Sequence, residues 1–550
     1  MRSTHAAGLA GSSVARPAPV SPSHVDPDAP HRLLRRADWR FLLPEPRPAH
    51  VLCFADGALA QAAGIVSQSL DDGAELAPGV CDLAVAVDPD DAMLHKAFAA
   101  LRPGGALYAE WRARPGRGVG AIRRRLQRAG FGRAALYWPR PDPEKATAAV
   151  WLPLDDPEAL QFNLENRPPA RGWPRRVARA VRRRLLLPRP FFKIPNPVVS
   201  VARRPMSGEG LEAPAGLLKE VGENWAGWGL GTGPPGRLSM LLVTSGRRAS
   251  GKAVALIFER GRPSPAAAVK IARTAEFSEA LRREAGILRD LHEGGAALHS
   301  TPRVLASGDG PLGFRIVETA FAGLPAFVLV HHGNLREIAL AAVGWLVGLA
   351  GRPNPAPRSQ WWPRLVKPLL DDFDSRFGSV VDAEAREEGR RLLETLGPLP
   401  LVWEQRDFSP WNVLMDRREN VFVVDWESAE PEGLPLRDLV YFLAYLGFSV
   451  DKAKKKGRFL ESYSALSDPA TPTGRIAREC VDRYCADVGI GAASQRPLRV
   501  LTWLLHAQSE YRELEADAGG PPSRQALEAS LFLRLWREEL KARAPRRVSR

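Results

Sequence analysis

Apolar residues fall in two rhythms along this chain, and the change of rhythm divides it. Between about residues 48 and 205, HVLCFAD, CDLAVAVD, ALYAEW and RAALYW each read as a short buried strand. DDAMLHKAFAAL and GAIRRRLQRAGF carry the spacing of amphipathic helices between them. Strands alternating with helices predict a mostly parallel sheet. From about residue 236 strands come in succession: RLSMLLVTSG, KAVALIFER and SPAAAVKIAR, the first two joined by the polar, glycine-containing turn 245–251. EFSEALRREAGILRDLHE then reads as a helix, and NLREIALAAVGWLVGLAG, RLVKPLLDDFDSRFG and AEAREEGRRLLETLG repeat at helical period.

These patterns predict an α/β domain followed by an α+β domain. The expected organisation is a disordered Ala/Ser/Pro-rich tail over 1–30, an α/β domain over 31–206, and a Gly/Pro/Trp-rich linker over 207–235. A small antiparallel lobe with one helix follows over 236–323, and a mainly helical lobe over 324–545.

Composition narrows the classes. Of 550 residues 45% are hydrophobic and 25% charged, the balance of a folded protein with several cores. Cys53, Cys81, Cys480 and Cys485 form no CxxC pair, which argues against a disulfide scaffold or structural zinc and fits a reducing cytoplasm. The longest apolar stretch, 338–351, is too short to span a bilayer, and the first residues lack the apolar core of a secretory signal. The net charge of +15 is concentrated: residues 167–208 hold twelve Lys and Arg and no Asp or Glu. Val177, Val181 and Leu185 stripe that segment at four-residue spacing, the pattern of a basic amphipathic helix. Two readings stay open, a solvated helix packed on its own domain and a peripheral contact with an anionic membrane at the inner face. Interleaved base-stacking aromatics are missing, so no nucleic-acid partner is expected.

The run from CDLAVAVDP through LRPGGALYAEW to VVSVARRP resembles the second half of a class I S-adenosylmethionine-dependent methyltransferase, over about residues 50–205. The resemblance implies a Rossmann-like fold in which LRPGG is the turn before a strand. It also implies a glycine-rich turn after the first strand, where the cofactor's backbone contacts would fall. This chain has Phe54-Ala55-Asp56-Gly57-Ala58 there, and fewer than about thirty residues separate VLCF from CDLAVAVD. A truncated, non-catalytic relative is expected, with Asp56 and Gly57 the only cofactor candidates.

Candidate chemistry lies in the second half. Lys270 lies near the end of a strand and Glu284 on the next helix, the order of the ion pair that positions nucleotide phosphates in kinase-like enzymes. Downstream, QRDFSPWN puts Asp407 and Asn412 in the D-x-x-x-x-N spacing of a kinase catalytic loop, and Asp425 closes the apolar strand VFVVD. A carboxylate can take the acceptor hydroxyl's proton, and an amide oxygen with a second carboxylate can hold hard Mg²⁺ ions. Residues 236–545 resemble the aminoglycoside phosphotransferase/choline kinase family on DFSPWN, VVDWES and GLPLRDL.

That resemblance implies a bilobed protein-kinase-like fold using ATP and Mg²⁺ to phosphorylate a hydroxyl of a small molecule or glycan. It implies Asp407 as catalytic base, Asn412 and Asp425 as metal ligands, Lys270 on the phosphates and Glu284 orienting Lys270. Residues 318–320, from Glu318, would offer backbone groups to adenine, with Ser245 and Gly246 in the phosphate-covering turn. Asp438 is expected to bond loop backbone, and Trp411 and Trp426 to pack. The family's His-Gly before the catalytic Asp is Gln405-Arg406 here. A pseudokinase scaffold, and a methyltransferase with a regulatory kinase-like domain, are the alternatives.

Overall fold

The computed structural model describes residues 29–71, 77–112, 118–145, 147–165, 197–206, 216–244, 251–275, 277–296, 298–310 and 313–541. The amphipathic stripe of the basic segment, the tail before residue 29, and Ser245 and Gly246 lie outside the described residues.

The first third forms β1 (His50–Cys53), β2 (Ser69–Asp71), β3 (Cys81–Val87), β4 (Leu101–Trp111), β5 (Ala135–Arg140), β6 (Val150–Pro153) and β7 (Val198–Arg203). β1 pairs in parallel with β2 and β3, and β3 in parallel with β4. β3 and β4 are buried along most of their length, as apolar runs in a parallel sheet must be. The helix Gly57–Val66 packs on one face through Leu59 and Ala63, and helices Asp91–Ala100 and Val119–Arg128 on the other through Leu94, Ala97, Ile122 and Leu126. LRPGG, expected as a turn, instead begins β4. Gly105 makes this possible, since a Cβ there would sit 2.9 Å from the Arg102 carbonyl and 3.1 Å from that of Asp82.

The second half begins with β8 (Leu238–Val243), β9 (Lys252–Glu259), β10 (Ala267–Ala272), β11 (Val304–Gly310) and β12 (Gly313–Glu318), all antiparallel, with the helix Ser278–Glu293 between β10 and β11. A helical lobe follows. Its central helix, Arg437–Asp451, is apolar nearly all round and correspondingly buried, while Leu335–Ala350 buries Ile338, Ala339, Ala342, Val343 and Leu346 on one stripe.

The two halves share one sheet. β6 pairs with β8 through Val150↔Val243 and Trp151↔Leu242, giving twelve strands in the order β11-β12-β10-β9-β8-β6-β5-β7-β4-β3-β1-β2. One core runs beneath the junction, joining Trp39, Tyr108 and Trp151 from the first half to Met240, Leu242, Val269 and Val317 from the second. The segment before β1 fastens it. Asp38 accepts hydrogen bonds of 3.1 and 3.2 Å from Arg273, just beyond β10, and Arg40 donates to the Arg273 carbonyl at 3.0 Å. Arg36 pairs with Glu110 at 2.7 Å. In the expected linker, the helix Leu217–Glu223 and Trp225 pack into this same core, so residues 216–225 are part of the folded unit.

Of the twelve basic residues in 167–208, two lie within the described residues. Arg204 donates to the carbonyls of Phe98, Ala99 and Leu101, and Arg203 to that of Gly104. Both serve the sheet. No helix among the described residues is long and apolar enough to cross a membrane.

Trp151 is 1% exposed at the seam. Trp151→Ala should cost about 3–5 kcal/mol, and in urea both halves should lose structure in one shared transition at lower denaturant. A first half that unfolds separately, with β8–β12 unaffected, would show that the seam carries no stability.

Candidate active site

The site forms where β9, β10 and the helix Ser278–Glu293 meet the loop after residue 404. Along β10, Val269 faces the shared core, so Lys270 projects from the opposite face. On the helix, Leu281, Ala285 and Leu288 are buried, and Glu284 falls on that stripe. Lys270 Nζ lies 2.6 Å from Glu284 Oε1, 2.9 Å from Glu318 Oε1 and 3.3 Å from Asp425 Oδ1. Burial alone would push the Lys270 ammonium down, but the three carboxylates outweigh it and hold it well above the ordinary lysine range. Burial would likewise raise Asp425, yet Lys252 and Lys270 keep it well below the usual carboxylate value.

Sequence reasoning missed two members of this cluster and gave a third, Glu318, another role. Lys252, at the start of β9, lies 3.1 Å from Asp425 Oδ1, 2.8 Å from Glu427 Oε2 and 3.7 Å from Glu284 Oε2. Glu427 stands two residues past Asp425 in the quoted VVDWES. Lys252 carried no signal in the sequence beyond its place at the start of a strand. Glu318 was assigned through its backbone. Its main chain instead sits in the ladder opposite Ala268 and Val304, while its buried side chain binds Lys270. Burial raises the Glu318 carboxyl to about 7.

The loop from Gln405 to Asn412 is held by three side chains. Antiparallel pairing of Val413–Met415 with Val421–Val423 returns the chain beside Asn412, so that Val424 N donates to the Asn412 carbonyl at 3.0 Å. Asn412 Nδ2 donates to Asp407 Oδ2 at 2.8 Å and to the Asp407 carbonyl at 3.0 Å, leaving its amide oxygen as the atom available to a cation. Asp438 accepts from Gln405 N at 2.7 Å and Arg406 N at 2.9 Å. Burial first, then repulsion from Glu427 and Asp425, raises the Asp407 carboxyl to about 8.

Gln405 does more than fill space. Its Oε1 accepts from Asp407 N at 3.0 Å, and its Nε2 donates to the carbonyls of Val424 (3.2 Å) and Asp425. One fully buried amide therefore ties the Asp407 loop to the segment that presents Asp425. Arg406 adopts φ +66°, a left-handed conformation that suits the glycine the family resemblance leads one to expect. Its side chain turns toward Glu404 and Glu430, both at 3.4 Å.

The two tryptophans differ. Trp426 is fully buried, donating to the Val423 carbonyl at 3.1 Å. Trp411 stands edge-on to Tyr445 with ring centres 5.0 Å apart, and at 40% exposed it leaves part of its indole open.

The donor set fits a divalent cation. Glu284, Asp425 and Glu427 each offer an oxygen, all within 4.8 Å of one another, and Glu284 Oε2 accepts no hydrogen bond although its side chain is fully buried. Hard oxygen donors of this kind suit Mg²⁺.

Residues 246–475 match the phosphotransferase enzyme family. The C-terminal half accordingly has the kinase-like fold of that family, with its mixed α/β content. No curated protein is significantly similar to the chain. Among solved structures, the GDP complex of wild-type aminoglycoside 2'-phosphotransferase-IIIa is similar at 12% identity, covering 56% of this chain and 94% of that one, with a TM-score of 0.35. Aminoglycoside phosphotransferase APH(3'')-Id from Streptomyces rimosus is similar at 17% identity, covering 52% and 95%, with a TM-score of 0.31. A thermostable mutant of aminoglycoside phosphotransferase APH(4)-Ia, in ternary complex with AMP-PNP and hygromycin B, is similar at 13% identity, covering 56% and 95%, with a TM-score of 0.36.

Gln405→Leu would orphan the Asp407 N–H and two carbonyls in a buried site, at about 1–3 kcal/mol for each group left unpaired. Chemical denaturation should show a loss of at least about 2 kcal/mol. An unchanged midpoint would mean that the amide bridge is dispensable.

Proposed function

We propose that this chain is an ATP-dependent phosphotransferase that moves the γ-phosphoryl group of ATP to a hydroxyl of a small molecule or glycan. The observation that carries this reading is the buried Lys270–Glu284 pair against Asp425, more than a hundred residues on in sequence, with the Asp407 carboxyl within reach of the Asp425 charge and hydrogen-bonded to Asn412. In this assignment Lys270 holds the α- and β-phosphates and Glu284 orients Lys270. Asn412 and Asp425 are the magnesium ligands named from sequence, and Glu427 and the free Oε2 of Glu284 would join Asp425 in the seat while Glu284 Oε1 keeps Lys270. Bound Mg²⁺ supplies charge neutralisation of the phosphates. Asp407 orients the acceptor hydroxyl and accepts its proton, a role suited to a carboxyl raised to about 8 by burial and neighbouring charge.

The half-exposed Trp411 supports a small-molecule or glycan acceptor, since an indole four residues from Asp407 can stack on an apolar or sugar face. Gln405 favours an active enzyme over a pseudokinase, because it bridges both segments that catalysis needs aligned.

For the N-terminal unit we keep the degenerate methyltransferase-type reading. Its support is the set of parallel strands β1 to β4 with helices on both faces, and we give it a bracing rather than a catalytic role. Cytoplasmic placement, and membrane contact through 167–208, belong to the same proposal. The residues assigned to such contact are the nine arginines and Lys193 that precede β7 in 167–208.

Asp407→Asn should lower kcat by about 10²–10⁴ in a coupled assay for ADP release with a panel of hydroxyl acceptors, while calorimetry finds Mg·ATP affinity retained. Full turnover by this variant would remove Asp407 from the mechanism.

A further inference from the structure

The buried cluster contains one more cation than the proposed reaction uses. Lys270 already has Glu284 and Glu318 as close partners. Lys252 adds a second ammonium, placed against the same three carboxylates whose oxygens converge within 4.8 Å. A lysine side chain and a divalent ion compete directly for such a position. Both need the oxygens of Glu284, Asp425 and Glu427, and in a buried site two cations sharing them would repel strongly.

We infer that Lys252 is a resident counter-ion of the metal seat, which excludes a free divalent cation until phosphates arrive to take the ammonium instead. This inference rests on the phosphotransferase reading above. The geometry gives Lys252 a short way out. It is the first residue of β9, so its four-carbon stem can swing toward phosphates without disturbing the ladder that begins there. Without anionic phosphates, withdrawing the ammonium would strand the carboxylates, so the metal has no free seat. With them, the ammonium moves from carboxylate to phosphate and the metal replaces it. Metal entry is thereby tied to nucleotide entry. Glu284 Oε2 agrees with this arrangement, since Lys252 reaches it at 3.7 Å, beyond hydrogen-bond distance, and a ligand-capable oxygen stays unpartnered.

The test uses Mn²⁺ as probe and the full chain without nucleotide, with free Mn²⁺ followed by electron paramagnetic resonance. Lys252→Met should bind Mn²⁺ at least tenfold more tightly than the unaltered chain, whereas Lys252→Arg, which keeps the charge, should not. Lys252→Gln serves if the Met variant does not fold by circular dichroism, and should show the same tightening. Equal or weaker Mn²⁺ binding by folded Lys252→Met or Lys252→Gln would overturn the inference, as would tightening in Lys252→Arg. The outcome is separable from the phosphotransferase reading. Mg·ATP binding by the unaltered chain, measured alongside, reports on that reading, and Mn²⁺ affinity without nucleotide reports on Lys252.

Discussion

Two buried lysines facing four carboxylates hold this protein's working parts together. Lys252 and Lys270 come from the sheet, Glu284 from the helix beside it, Glu318 from the strand that leads out of the first lobe, and Asp425 and Glu427 from the second lobe. A charge taken out of water costs several kcal/mol unless partners surround it. The lobes must therefore meet here, and the backbone joins in as Trp426 N donates to Glu284 Oε1 at 2.9 Å. Acid outnumbers base in the cluster, and burial responds by raising Glu318 and Glu427 toward the protonated form. The surplus of carboxylate leaves oxygens that a cation could share.

A second constraint acts on the first lobe from behind. Its sheet has no free edge at β8, because β6 occupies it, and the apolar back of β10 is covered by the segment around Trp39. Arg273 joins the two, gripping Asp38 only three residues from Lys270. The N-terminal unit thus sets the position of the strand that carries Lys270.

The sequence was most legible where function is local. The D-x-x-x-x-N spacing fixes Asp407 against Asn412 through a single loop, and helical periodicity puts Glu284 on the buried face of its helix. Partners set by the meeting of distant segments left little trace. Nothing about Lys252 distinguishes it from a solvent-facing lysine at a strand start until Asp425 and Glu427 arrive beside it. The seam between β6 and β8 was hidden for the same reason. Edge pairing needs only two backbones with compatible twist, and VWLP and SMLLV carry no mark of partnership. Gln405 shows the opposite case. The departure from His was plain in the sequence, but only the structure shows that an amide can accept from the Asp407 N–H and donate to the Asp425 carbonyl at once.

The central claim is that the buried cluster is a Mg·ATP site, and thermal unfolding with and without ligand tests it most directly. A ligand that binds only the folded chain adds about 2.7 kcal/mol at a hundredfold excess over Kd. Mg·ATP should therefore raise the melting temperature of the unaltered chain by a few degrees, ATP with a chelator by less, and Asp425→Ala should lose the Mg²⁺-dependent part. No shift at millimolar Mg·ATP, in protein that unfolds cooperatively, would contradict the account.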